Sequence, residues 1–187
     1  MKNDKNMIVF RFWILLLIII FSNIQYSYSQ KVDEYKLKAV YIYNFSLFAE
    51  WPDNTPQKST NEPFIITVFG KNPFNKKLEN VIIEKREKIK GKSIRFQYTN
   101  KLKDISNSNI VFISSSEKYN VSKIIDYVSG KPILTISDCV GYDSKGVMIN
   151  MIKKGTKIKF NINLRKVKKS KIYISSRLLA NANKIIK

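Results

Sequence analysis

Along residues 33–49 the positions Leu37, Val40, Tyr41, Asn44, Phe45 and Phe48 recur at three- and four-residue spacing, the period of one face of an α-helix. Asp33 and Glu34 stand at its start, where the helix dipole favours negative charge, and Trp51-Pro52 stops it. The pattern then shortens. Phe64 to Phe69 is an apolar, β-rich run closed by Gly70, and Asn72 with Pro73 supplies an N-cap and first helical position for a helix over Phe74 to Ile83. Ile94, Phe96 and Tyr98 alternate with Arg95 and Gln97, which predicts a half-buried strand. Ile110 to Ile113 reads as a fully buried strand leading into a helix near Val121 to Val128, and Ile133 to Ser137 as another strand.

From Val147 onward the pattern changes character. Val147 to Ile152, the turn Lys153-Lys154-Gly155-Thr156 and Lys157 to Leu164 predict an antiparallel hairpin. Ile158, Phe160, Ile162 and Leu164 alternate strictly with Lys157, Lys159, Asn161 and Asn163, so one face of that strand is expected to be wet. A final helix is predicted from Ser175 through Arg177, Leu178, Leu179 and Ala182 to Ile185. Strands separated by helices, followed by a late hairpin, predict a single-domain α/β three-layer sandwich: a mixed, mostly parallel sheet with helices on both faces. No long Pro, Gly or Ser linker and no internal repeat divides the chain.

Ahead of this domain, Lys2, Lys5 and Arg11 precede the apolar run Phe12 to Phe21, and small residues at Ser27 and Ser29 lie just before Gln30. That order predicts a cleaved secretory signal peptide over residues 1–29 and a domain over 30–187 exported to the periplasm. A retained anchor needs about 20 apolar residues, and the uninterrupted run is about half that before Asn23 and Gln25 close it. With no Cys beside the run, a lipid-modified N-terminus is not indicated.

The whole chain carries +20, and losing the leader's three basic residues and one acidic residue leaves +18. Such a field favours anionic partners. Only five of the basic residues are Arg, and Lys accompanies abundant Ile and Asn, a pattern of codon bias and a poor match to bidentate phosphate recognition. No nucleic-acid role is expected. The chain has no His, which removes imidazole as base, metal ligand or switch near neutral pH. Cys139 is the only cysteine, so no intramolecular disulfide forms; it reads as a partly buried residue at a strand end, the alternative being an intermolecular disulfide or a redox-sensitive thiol.

Enzymatic readings find little support. Gly70-Lys71-Asn72-Pro73 resembles a phosphate-binding turn but lacks the further glycines that bring backbone close to a pyrophosphate. Asp138 and Asp143 form a pair of nearby carboxylates, yet Asp138 fits better as a residue that ends a strand and fixes a turn. Ser114-Ser115-Ser116 offers hydroxyls without a His, and Lys118 is a poor base. No catalytic residue, cofactor or metal is expected.

Seven segments, in order, resemble the YfiR-like family of exported bacterial regulators. They are Lys38-Ala39-Val40-Tyr41-Ile42-Tyr43-Asn44-Phe45 with Phe48-Ala49-Glu50-Trp51-Pro52; Val68 to Phe74; Ile110 to Glu117; Ile133 to Asp138; Gly146 to Asn150; Phe160 to Leu164; and Ile174 to Leu179. The resemblance implies a compact α/β domain, often a homodimer, that represses an inner-membrane diguanylate cyclase from the periplasm. It also implies an outer-membrane lipoprotein with an OmpA-like domain that sequesters the repressor. Some members sit beside sensor histidine kinases instead, which keeps a ligand-binding accessory subunit as the alternative. Family members with several cysteines suggest redox control, which Cys139 alone does not support.

Within that frame six residues are candidates for partner binding. Tyr43, Asn44 and Trp51 fit less neatly on the face carrying Tyr41, Phe45 and Phe48, and Tyr and Trp anchor protein interfaces. Asn161 and Asn163 lie on the polar face of the late strand with Lys157 and Lys159, as a solvated surface or a docking edge. Arg177, in the C-terminal motif, either pins its helix by a salt bridge or recognises a carboxylate or small anion.

Overall fold

The structure, a computed structural model, describes residues 33–53, 55, 62–85 and 88–187. The signal peptide expected over residues 1–29 lies outside them, and the described residues fall in one compact unit, Val32–Lys187. Helix α1 (Glu34–Phe48) is capped by Asp33, whose Oδ1 accepts from Tyr35 N at 3.2 Å and Lys36 N at 3.3 Å. It leads into β1 (Ala49–Glu50), then β2 (Phe64–Phe69), α2 (Lys77–Lys85), β3 (Lys88–Ile89), β4 (Lys92–Thr99), β5 (Ile110–Ile113), α3 (Val121–Val128) and β6 (Leu134–Ser137). The hairpin β7 (Ile149–Lys154) and β8 (Lys157–Asn163) follows, with α4 (Leu164–Lys169), β9 (Tyr173–Ile174), α5 (Ser176–Ala180) and β10 (Lys184–Ile186).

Eight strands form one mixed sheet in the order β10-β8-β7-β6-β5-β2-β4-β3, and β1 pairs with β9 outside it. Its centre is parallel, and β7 and β8 close it antiparallel as the late hairpin. Because successive side chains point to opposite faces, each central strand feeds two cores. Phe64, Ile66, Val68, Ile110, Phe112, Leu134, Ile136 and Phe160 meet α1 and α2 on one face. Phe69, Val111 and Ile113 meet Val121, Ile124, Ile125 and Val128 of α3 on the other. This is the predicted layering of a mixed sheet between helices.

Four local expectations need correction. The helix after β2 starts at Lys77 because Asn75, at φ 53°, occupies the left-handed region and breaks helical geometry before it. Asn72 instead closes a turn, its Oδ1 accepting from Phe74 N at 2.9 Å. On α1 the buried positions are Lys38, Ala39, Ile42, Tyr43, Phe45 and Ser46, with Leu37, Val40, Tyr41 and Phe48 half-buried. The helix is covered from two sides, by the sheet below and by α2 and α5 alongside, so no single apolar stripe describes it.

The predicted C-terminal helix over 175–185 is two elements. After five residues of α5, Asn183 N donates to Phe160 O at 2.8 Å and Lys184–Ile186 runs parallel to β8, pairing Lys184 with Asn161 and Ile186 with Asn163. β-Branched Ile185 and Ile186 suit a sheet edge better than a helix end. The polar face of β8 is also divided. Lys157 and Lys159 are exposed as expected, but Asn161 and Asn163 are buried under the loop that follows β6. Asn161 Nδ2 donates to Asp143 Oδ2 at 2.7 Å and Asn163 Nδ2 to Asp143 O at 3.1 Å, so the amides satisfy a carboxylate and a carbonyl that the loop brings inside.

Candidate functional site: a groove beside the first helix

A groove of about 420 Å³ opens between α1, β8 and α5. Its apolar surface comes from Tyr41, Phe45, Phe48, Ile158, Phe160 and Leu178, and its polar rim from Asn44, Lys159, Arg177 and Asn181. Tyr41 is fixed by donating from its hydroxyl to Ile158 O at 2.9 Å, and Phe45 and Phe160 meet edge to face with centroids 5.0 Å apart. The floor is rigid because these rings pack against one another across α1 and the sheet.

Arg177 is placed by the cap of its own helix. Ser175 N donates to Phe48 O at 3.0 Å, tying the end of α1 to the start of α5, and Ser175 Oγ accepts from Leu178 N at 3.3 Å. The guanidinium then lies over the Phe48 ring, 5.4 Å from its centroid. Among the described residues Arg177 makes no salt bridge, so the ion pair that would pin the helix is not what holds it; its fork of donors is exposed beside the groove. An exposed guanidinium and an ammonium at the edge of an aromatic floor suit an anionic group attached to an apolar body.

The six candidates divide. Asn44 and Arg177 come together on this groove. Tyr43 and Trp51 are buried at 7% and 4% exposure, Trp51 edge-on to Phe64 with centroids 5.2 Å apart, so their rings belong to the chain's own core. Asn161 and Asn163 lie under the loop at the other face of the sheet. Tyr41, Lys159 and Asn181, which line the groove, were not legible as a set: they are far apart in sequence, and only the docking of α1 on β8 brings them together.

Other candidate chemistry is committed to structure. The chain adds β4 on one side of β2 and then β5 on the other, and such a switch in strand order is the place where an open α/β sheet takes a ligand beyond its carboxyl strand ends. Here that crevice is narrowed to a pocket of about 120 Å³ lined by Phe69, Asn100, Leu102, Glu117, Asn120, Lys123 and Ile124. Gly70, at φ 92°, packs against Ser116 and Glu117 so closely that a Cβ would overlap both side chains, and Ser116 Oγ accepts from Lys71 N at 3.0 Å. The Gly70-Lys71 turn is therefore a packed structural turn. Asp138 and Asp143 serve separate partners. Asp138 Oδ2 is 2.5 Å from Lys38 Nζ, while Asp143 accepts from Asn161 and, at 2.9 Å, from Ser144 N.

Lys38 is the buried charge that sequence reading missed. It also reaches Glu34 Oε1 at 2.6 Å. Burial pushes its ammonium down, but the two carboxylates outweigh burial and hold it above the ordinary lysine value. Glu34 in turn is pulled below its ordinary value by hydrogen bonds from Lys153 and Lys38. Cys139 is half-buried at the end of β6, and burial first, then the Asp138 charge, pushes its thiol up, away from the reactive thiolate. Among the described residues no helix is long and apolar enough to cross a membrane, and no group of His, Cys, Asp or Glu is arranged to hold a metal ion.

Fold and groove place the chain in the class of small α/β domains built on one open, mostly parallel sheet. It belongs to the YfiR/HmsC-like family, whose sequence profile matches residues 35–183. A search among curated proteins finds no match. Among solved structures it is similar to a conserved domain protein from Vibrio cholerae, at 11% identity and TM-score 0.52, covering 81% of this chain and 60% of that one. A second, the ABC domain in complex with L-Trp from Streptococcus pneumonia, aligns at 8% identity and TM-score 0.45 over 66% of this chain and 55% of that one. The chain thus spans less than two thirds of either neighbour, and the first likeness supports the fold.

Proposed function

We propose that this chain is an exported, non-enzymatic regulator that represses an inner-membrane signalling enzyme, a diguanylate cyclase, by contacting its periplasmic portion. Family membership supports the regulatory theme and its link to cyclic di-GMP signalling. The observation that carries the contact is Arg177: an exposed guanidinium with no ion pair among the described residues, set against Phe48 on the rim of an aromatic groove with Asn44. That surface fits a carboxylate-bearing apolar segment of a partner.

The mechanism is a population shift. A repressor that binds the inactive cyclase more tightly than the active one lowers output by that difference in affinity, and an OmpA-like outer-membrane lipoprotein that captures the repressor restores it. The working form is a mature chain from Gln30, as a homodimer. Deleting the gene is expected to raise cyclic di-GMP and surface attachment; unchanged cyclic di-GMP in cells that normally express the protein would reject the cyclase reading.

The groove's volume favours one second reading. About 420 Å³ lies within the roughly 300–1,000 Å³ typical of small-molecule sites. A periplasmic accessory subunit that reports ligand occupancy to a sensor histidine kinase would use the same groove. Neighbouring genes separate the two: a cyclase with an OmpA-like lipoprotein supports the first, a histidine kinase the second.

A further inference from the structure

Acidic residues stop at Asp143. From Ser144 to Lys187 the chain has thirteen Lys and Arg and no Asp or Glu, whereas from Gln30 to Asp143 it has 18 basic and 13 acidic residues. A codon bias toward lysine would enrich Lys throughout; it does not explain the loss of every carboxylate from one segment. The fold then keeps that segment together, because β7, β8, α4, β9, α5 and β10 all follow Asp143 and β10-β8-β7 is one end of the sheet. Arg165 Nη2 donates to Lys187 O at 2.9 Å and Lys154 Nζ to Asn183 Oδ1 at 2.8 Å, joining α4, β10 and the hairpin into one surface.

Of the thirteen cations only Lys153 is in an ion pair among the described residues, with Glu34 Oε2 at 2.7 Å. Lys157, Lys168, Lys169, Lys184 and Lys187 are exposed and, among the described residues, answered by no carboxylate side chain. Such a concentration of like charge opposes folding and self-association of this end, and an anionic layer relieves it.

We propose that the β10-β8-β7 end of the domain binds the anionic headgroups of a bilayer and holds the protein at the membrane surface. Eleven of the thirteen cations are Lys. A flexible ammonium needs no fixed geometry and suits a diffuse sheet of charge, whereas a folded acidic protein patch is read better by the planar, bidentate fork of Arg. Lys and Arg near an anionic surface add their attractions, and each fades within a Debye length. The tether goes beyond the reading of the chain as a repressor: it concerns where the protein resides, and it places the Arg177 groove, on the adjoining β8 and α5, near membrane-embedded partners.

The test is sedimentation of the purified mature protein with vesicles of phosphatidylglycerol and phosphatidylethanolamine in equal parts. Binding at low salt, release as salt rises, and no binding to phosphatidylcholine vesicles are expected. Replacing Lys168, Lys169, Lys184 and Lys187 by Glu should weaken vesicle binding by at least about tenfold. The same replacement at exposed Lys76, Lys101, Lys103 and Lys123 changes the net charge equally and should leave binding within about twofold, since these lie outside the surface. Equal losses in the two variants, or tighter binding to soluble polyglutamate than to the anionic vesicles at equal charge, would overturn the proposal. Far-UV circular dichroism checks folding, and the pairs Lys168→Glu/Lys169→Glu and Lys184→Glu/Lys187→Glu give the same comparison if the quadruple variant does not fold. No signalling partner is present, so the outcome is independent of the repressor reading.

Discussion

Lys38 Nζ lies 2.5 Å from Asp138 Oδ2, with the two side chains only 5% and 6% exposed, so a buried ion pair ties the first helix to the end of β6. The pair joins residues one hundred positions apart and fixes α1, which also lines the groove. Taking Lys38 away strands the Asp138 carboxylate in the interior, whereas taking Asp138 away leaves Lys38 with Glu34 alone. Lys38→Met should therefore cost about 3–5 kcal/mol in urea unfolding, and Asp138→Asn less, because Glu34 still answers the ammonium. The double variant Lys38→Met/Asp138→Asn should recover a large part of that loss, and additive losses in the cycle would show that the two charges are not coupled.

Glu34 sets part of the acid limb of stability. Its folded-state pKa is depressed by Lys153 and Lys38, so its contribution is present above its ordinary value of 4.5 and is lost as pH falls through the lower folded value. Thermal midpoints should drop as pH is taken below about 4.5, and Glu34→Gln should make that limb shallower while lowering stability at neutral pH. An unchanged slope in the variant would remove Glu34 from the account.

Arg177 and Trp51 should separate contact from folding. Arg177 is exposed, and among the described residues its guanidinium is held only against the Phe48 ring, so Arg177→Ala should cost no more than about 1 kcal/mol of stability. If the groove contacts the partner, that variant nonetheless mimics the gene deletion in cyclic di-GMP output. Trp51→Ala empties a core position and should cost about 3–5 kcal/mol, so any loss of repression there is expected to track loss of folded protein. Full repression by Arg177→Ala at normal protein levels would move the contact elsewhere.

Cys139 should be nearly inert. Its thiol is pushed above the usual cysteine value by burial, and no second cysteine exists in the chain. Labelling by a disulfide reagent near neutral pH is expected to be slower than for an unfolded control, and reductant should leave the monomer's thermal midpoint unchanged. A reductant-sensitive band at twice the monomer mass would reveal a bond between chains.

Gly70 is required where two strand ends meet. Gly70→Ala puts a Cβ into Ser116 and Glu117 at a backbone angle that side chains avoid, and should cost about 1–3 kcal/mol. Retention of full stability in calorimetry would mean that the 114–117 turn moves aside freely.

Much was legible in the amino-acid sequence. Period-two and continuous apolar runs marked β2, β4, β5, β6 and the β7-β8 hairpin, and the order of strands and helices implied helices on both faces of a mixed sheet. These are local signals, set by which side chains a strand or helix turns toward a core. Arg177 and Asn44 were also singled out, each by its own neighbourhood. Only the tertiary structure decided that they share a groove, that Asn161 and Asn163 satisfy Asp143 rather than face solvent, that residues 184–186 join β8 as a strand, and that Lys38 meets Asp138. Each of those depends on which distant backbone covers a residue: a polar side chain reads the same along the chain whether water or a buried carboxylate completes its hydrogen bonds, and the sheet order makes that choice.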